Sequence, residues 1–526
     1  MPTDADSYGR WKNLVPFLYD WFAHHRLVWP SLSVRWGAVL ETNEYKHKQR
    51  LYLSEQTDGS PFFPNTLVVA NAEVIKRRVA AAEHMVFEEE TRSAFVKGFK
   101  TIIHPGEVNK MREFQASPNL LVTHTDAPEL LVWNTETQPH RKTGPAAQRD
   151  APNGGRGEDG ELCPIAGALK PSRPDLVLRG HGDDAEFALD VHREGFKVAS
   201  GGKDRNVLLW DVSDYDQGSL CTNGKEGSGA TGNGEGVGAK SGDFDGAPSL
   251  APKTTFEGHS DTVEDVSFHP SGASELCSVG DDNALIFWDA RAGTKPAHKV
   301  TDAHGEDVHT VDWSLLDENV ILTGSADATV KLWLASADFD FFFAGVSTSW
   351  DRRKLGALGA ECCVHTFAMH KDAVTCVQWC PDQKGMFGSS ADDGYLNVWD
   401  VNKIGAAQSA EKKKTAAPEI VFQHAGHKTS VTDFHWNPFD PMTIASVSSG
   451  DGGNTLQMWR MNDLIYRPEE EALAELEKHK ATICGVRAAA AGGGGEGGGD
   501  AQEKESAEPT GDGAAAPEGA GAMETD

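Results

Sequence analysis

Histidine, serine and aspartate recur in this chain in sets that could, in outline, do nucleophilic or metal chemistry. His181 with Ser200 and Asp204, His259 with Ser278 and Asp282, and His304 with Ser325 and Asp327 each combine a base, a hydroxyl and a carboxylate. Such groups can form a proton relay or ligate a metal when a fold brings them together. Their register argues otherwise. A tryptophan follows a histidine by 29 residues five times: His104/Trp133, His181/Trp210, His259/Trp288, His304/Trp333 and His370/Trp399. A sixth pair, His427/Trp459, is spaced by 32. An aspartate stands six residues before the tryptophan in four repeats (Asp204, Asp282, Asp327, Asp393) and seven before it in the first (Asp126). Copies at a fixed register read as framework, because a buried imidazole or indole N–H without a partner costs roughly 1–3 kcal/mol. Nothing in the sequence resembles a phosphate-binding loop, and no nucleophile has singular surroundings, so neither catalysis nor a cofactor is expected.

The elements between each histidine and its tryptophan explain the spacing. After His259, Val263, Val266 and Phe268 alternate with polar residues as in a half-buried strand. A turn at His269-Pro270-Ser271-Gly272 leads to a second strand, Glu275 to Val279, and Asp282-Asn283 turns into a third, Ala284 to Trp288. The same order recurs from Val374 to Trp399. With a Gly-His start and a Trp-Asp end, this unit resembles the four-stranded blade of the WD40 propeller. Six repeats end at Trp459, and the stretch carrying Leu32–Trp36, Arg50–Ser54 and Thr66–Asn71, with Leu456–Arg460, should supply a seventh blade and the closure. The expected fold is all-β: a seven-bladed propeller over 32–466, with an N-terminal α-helix and a short C-terminal helix. Gly-, Pro- and charge-rich insertions near 138–173, 213–252, 334–363 and 402–418 read as disordered connections. The third contains four phenylalanines, and its removal over 334–350 would join Trp333 to Asp351 and restore a Trp-Asp end.

The flanks differ from the repeat. Residues 1–9 read as disordered and 10–31 as a helix with its lead-in to the first blade. Trp11, Leu14, Val15, Leu18 and Phe22 share a face at helical spacing. Pro16 suits a first turn, which places the start near Asn13 and the end at Trp29-Pro30-Ser31. A second helix is expected over 467–483. The segment 484–526 is an Ala/Gly-rich tail; after residue 487 it holds nine acidic residues and one lysine. A net charge of −30 argues against unaided binding to nucleic acid and favours basic partners. No apolar stretch reaches membrane-spanning length. Eight cysteines without regular spacing suit free thiols in a reducing compartment.

Longer motifs carry a closer resemblance. Trp11-Lys12, Pro16-Phe17-Leu18-Tyr19-Asp20 and Leu27-Val28-Trp29-Pro30-Ser31-Leu32 resemble the opening of the histone-binding WD-repeat family. His104-Pro105-Gly106-Glu107-Val108-Asn109, Val263–Ser267 and Leu396–Asp400 are similar to it as well. Glu55–Gly59 and Leu464–Glu471 resemble its plant FVE branch, and the likeness spans 8–483 apart from the insertions. The resemblance implies a non-catalytic nuclear scaffold for histones H3 and H4. It would serve transcriptional repression within histone deacetylase, Polycomb or nucleosome-assembly complexes. It implies an acidic H3-tail site at Glu107, Asn109, Glu186, Glu264, Asp281 and Asp282. It also implies an H4-helix site at Leu14, Phe17, Leu18, Phe422 and Ile465. Three departures bear on these sites. His309 and Thr375 replace aromatic or amide groups, Gly394 replaces a frequent arginine, and Lys412-Lys413-Lys414 replaces an acidic run. A rival reading comes from Trp288-Asp289-Ala290-Arg291, which resembles the box by which some WD40 proteins join a cullin-4 ubiquitin ligase adaptor; Trp288, Asp289 and Arg291 would carry it.

Overall fold

The computed structural model describes residues 4–59, 63–77, 92–143, 169–183, 187–214, 244, 246–334, 340–343, 346–349, 362–408, 417–450, 453–468, 470–474 and 477–478. Residues up to Arg467 form one compact unit, a seven-bladed propeller preceded by a helix. A second unit from Pro468 holds helical residues 470–474 and 477–478.

Each blade is a four-stranded antiparallel meander. Blade 1 comprises Val34–Thr42, Lys46–Glu55, Thr66–Ile75 and Val96–Ile103. Blade 4 comprises Val263–His269, Gly272–Gly280, Leu285–Asp289 and His298–Val300. Blades 2, 3, 5 and 6 have inner strands at Lys110–Phe114, Leu189–Val191, Val308–Trp313 and Val374–Trp379. Third strands such as Leu130–Asn134 and Val330–Leu334 are buried nearly throughout, because each is covered by blades on both sides. Seven apolar clusters fill the molecule, most of them between neighbouring blades.

Closure differs from the arrangement expected of the sequence. The N-terminal stretch makes a blade of its own. Blade 7 (Val431–Trp436, Thr443–Ser448, Thr455–Met461) takes its outer strand from β1, Tyr19–Arg26, which pairs with Thr455–Met461. The helix α1 accordingly spans Asp4–Leu18. It starts nine residues before Asn13, includes residues expected to form a disordered N-terminus, and stops well short of Trp29. Pro16 sits in its last turn, and the side chain and backbone N–H of Asn462 cap the carbonyls of Phe17 and Leu18. Phe22 lies on the strand because the open edge of Thr455–Met461 offers a full row of backbone partners, which outweighs helical periodicity. β1 is buried on both faces: Tyr19 and Phe22 enter one core, Trp21 and Ala23 another. Arg460, 1% exposed, fastens this junction. Its Nε donates to Asp20 at 2.8 Å, Nη1 pairs with Asp440, and Nη2 donates to the Ile75 carbonyl at 2.7 Å.

Parts of the expected disordered insertions are ordered. Asp340–Phe343 and Val346–Ser349 form a two-stranded hairpin. Ser249–Leu250 adds a parallel fifth strand beside Leu176–Leu178, whose own pairing to Leu130–Asn134 leaves one edge open. Lys412–Lys414 and the 484–526 tail lie outside the described residues.

Candidate functional site

The repeated histidines form a satisfied frame. In blade 4, His259 Nδ1 lies 2.8 Å from Asp282 Oδ1 and Nε2 lies 2.7 Å from Ser278 Oγ. Trp288 Nε1 donates to the same Oγ at 2.8 Å. Only one proton arrangement uses every group: Nδ1–H to the carboxylate, the Ser278 hydroxyl to Nε2, and the indole to the Ser278 oxygen. Blades 5 and 6 repeat it with His304/Thr323/Asp327/Trp333 and His370/Ser389/Asp393/Trp399. The hydroxyl in blade 5 is thus Thr323; Ser325, two residues on, instead donates to the Glu306 carbonyl and accepts from the Asp327 amide. In blade 2, His104 Nδ1 faces the Gly106 carbonyl rather than Asp126. Blade 3 is incomplete, since Trp210 donates to the Arg179 carbonyl at 3.3 Å and leaves Ser200 to His181 alone. Desolvation opposes ionisation of these aspartates, yet their histidine and amide bonds prevail and hold Asp204, Asp282, Asp327 and Asp393 below the usual range.

This frame fixes one end of the propeller, where inner strands begin. Val263 pairs with Gly280, so Glu264 and Asp281 share that end, and Asn109 N donates to the His124 carbonyl there in blade 2. In blades 4 to 7 the pairing register shifts around the second residue of the inner strand: Glu264, His309, Thr375 and Thr432. A bulge re-aims its side chain. Thr375 and Thr432 turn inward onto the carbonyls of Val431 and Ser31, at 2.6 and 2.8 Å. Glu264 and His309, both half-buried, occupy the equivalent places in blades 4 and 5. Asp281 is half-buried, and desolvation together with the charges of Asp307 and Asp261 raises its pKa, with His309 opposing. Glu107 accepts from Gln56 Nε2 at 2.7 Å. Asp282 stands apart: its carboxylate is committed to His259, Ser260 and Lys299. Glu186 lies outside the described residues. Gly394 has φ +80°, a backbone setting that favours glycine and explains why no longer side chain stands there.

The helix presents a second surface. Its inner face is locked: Trp11 Nε1 donates to the Tyr19 hydroxyl at 2.9 Å, which lies 2.6 Å from His424 Nδ1. His424 Nε2 is 2.9 Å from Gln457 Oε1. On the outer face Leu14 is 49% and Phe17 73% exposed. Leu18 and Ile465 are partly buried against the same core. Phe422, grouped with them by sequence, is buried, its ring 5.4 Å from Tyr19 and 5.7 Å from Trp459, so it supports the surface from beneath.

Residues 6–76, which carry α1, β1 and most of blade 1, match the family described as the histone-binding protein RBBP4 or its equivalent in the CAF1 complex. The WD domain, G-beta repeat, matches at 172–211, 250–289, 295–333 and 361–400. The chain is 50% identical over 488 residues to the WD-40 repeat-containing protein MSI4 of Arabidopsis thaliana, covering 92% of this chain and 87% of that one. The chain belongs to the histone-binding WD40-repeat family.

Within this histone-binding WD40 protein, the Trp-Asp-x-Arg box of blade 4 lies at the opposite end from Glu264, since Asp289 pairs with Glu275. Trp288 is buried in the frame, while the exposed Arg291 is held by Asp289, through Nε at 2.9 Å, and by Glu275. Sequence reasoning missed Asp261 and Asp307. Their signal was present: an acidic residue stands two or three positions after the frame histidine in His259-Ser-Asp261, His304-Gly-Glu306-Asp307 and His370-Lys-Asp372. The bulges gave no such signal, because pairing register is a property of two strands.

Proposed function

We propose that this protein is a non-catalytic nuclear scaffold that binds histones H3 and H4 and presents them to chromatin-modifying or assembly complexes. Deacetylase, Polycomb and nucleosome-assembly complexes, acting in repression, are the candidates. The observation that carries this reading is α1: one face is immobilised by Trp11, Tyr19 and His424, while Leu14 and Phe17 remain open to a partner. An amphipathic histone helix laid along Leu14, Phe17, Leu18 and Ile465 would cover them. The basic H3 tail would sit at the other surface, near Glu107, Asn109, Glu264 and Asp281, with Asp261 and Asp307 adding negative charge. The cullin-adaptor alternative rests on one short box whose arginine is already paired, so the histone reading is preferred. Retention of recombinant H3–H4 by Glu107→Ala/Glu264→Ala and by Phe17→Asp proteins tests it. If both retain H3–H4 like the parent, the proposed surfaces are wrong.

A further inference from the structure

The lower half of the propeller channel contains a cavity of about 170 Å³ lined by all seven blades. Above it, Lys110 of blade 2 and Asp265 of blade 4 meet at 2.6 Å across the ring. The notable groups are two arginines. Arg35 Nε and Arg112 Nη1 both donate to a single oxygen, the Met111 carbonyl, at 3.1 and 3.0 Å. Among the described residues, no carboxylate lies within ion-pairing distance of either guanidinium.

The nearby carboxylates are engaged elsewhere. Asp190 accepts from the backbone N–H groups of Val191 and Phe268, both at 2.8 Å. Asp265 accepts from those of Val266 and Val311, and Asp433 from those of Phe434 and Val34. These bonds join adjacent blades and hold the anions away from the cavity's centre. Two further carboxyls, Glu113 and Asp312, line it. Burial raises both, Asp312 to about 8, which favours neutral acids that donate hydrogen bonds. Glu113 Oε2 and both ring nitrogens of His192, a residue 5% exposed, have no partner. Arg193 stands exposed at the open end.

We propose that this cavity is a binding site for a compact oxyanion, a phosphate or short dicarboxylate, seated on the unpaired guanidinium N–H groups of Arg35 and Arg112. Two forks converging from one carbonyl match the geometry of such an anion. At about 30 Å³ per water-sized group, the volume suits an ion of that size and excludes a nucleotide. The anion could be free or borne on a phosphoserine of a partner segment entering past Arg193. The site is separate from the histone surfaces and does not depend on them.

The test is calorimetric titration and thermal unfolding of the full chain at constant ionic strength, with inorganic phosphate, malonate, a phosphoserine peptide and spermidine. Phosphate or malonate at ten times its dissociation constant should raise the melting temperature by about 2 °C. Arg112→Lys, and Arg193→Glu where the buried variant does not fold, should weaken binding about tenfold or more. Binding of the phosphopeptide but not of free phosphate would assign the anion to a partner and keep the site. A shift with spermidine alone, or anion binding unaffected by either variant, would overturn the proposal.

Discussion

Ser278→Ala and Ser200→Ala remove the same hydroxyl from equivalent positions, yet should differ in cost. Ser278 Oγ serves two buried partners, His259 Nε2 at 2.7 Å and Trp288 Nε1 at 2.8 Å. Without it, one acceptor and one donor are stranded among side chains that water does not reach. At about 1–3 kcal/mol for each unmet group, Ser278→Ala should cost roughly 2–4 kcal/mol. Ser200 Oγ serves only His181 Nε2 at 2.6 Å, because Trp210 donates to the Arg179 carbonyl. Ser200→Ala therefore strands one group and should cost roughly 1–2 kcal/mol. Both serines are fully buried, so differences in solvation do not blur the comparison. Urea unfolding followed by tryptophan fluorescence measures it, with unchanged m-values required for the midpoints to be compared. Equal losses, or a larger loss for Ser200→Ala, would refute the proton arrangement assigned to the frame.

Three further outcomes are expected. Phe17→Asp should lower H3–H4 retention while leaving stability within about 0.5 kcal/mol, because the ring is 73% exposed; pull-down and a melting curve check the two halves. Arg460→Met should destabilise by about 3–5 kcal/mol, since it leaves Asp20 and Asp440 without their buried cation, and denaturant unfolding reads the loss. Burial lowers His424 from 6.5 to about 3, so it is neutral when folded and takes up a proton more readily when unfolded. Its contribution is full above pH 6.5 and is lost as pH falls towards 3. The stability difference between the parent and His424→Gln should shrink across that window. Asp312, raised by burial, acts in the opposite sense, which is why the difference rather than the absolute stability is to be followed.

The His-to-Trp interval by itself determined that this chain is a propeller, because a repeat that cannot bury its faces alone must stack on its neighbours. It also determined that most repeated histidines and aspartates are framework, through the Asp at a fixed distance from Trp. The opening motifs determined the family. The sequence could not say which residues close the ring: Tyr19–Arg26 has helical periodicity, and only the unpaired edge of Thr455–Met461 makes it a strand. Nor could it distinguish Phe422, buried beneath Tyr19 and Trp459, from Phe17, which is open, since both are phenylalanines in apolar surroundings. Asp281 and Asp282 are adjacent and chemically identical, but one faces Asp307 and the other His259. The convergence of Arg35 and Arg112 on one carbonyl likewise joins residues 77 positions apart. Local spacing encodes what each blade must satisfy within itself. Contacts between blades depend on how the ring closes, and only the tertiary structure decides them.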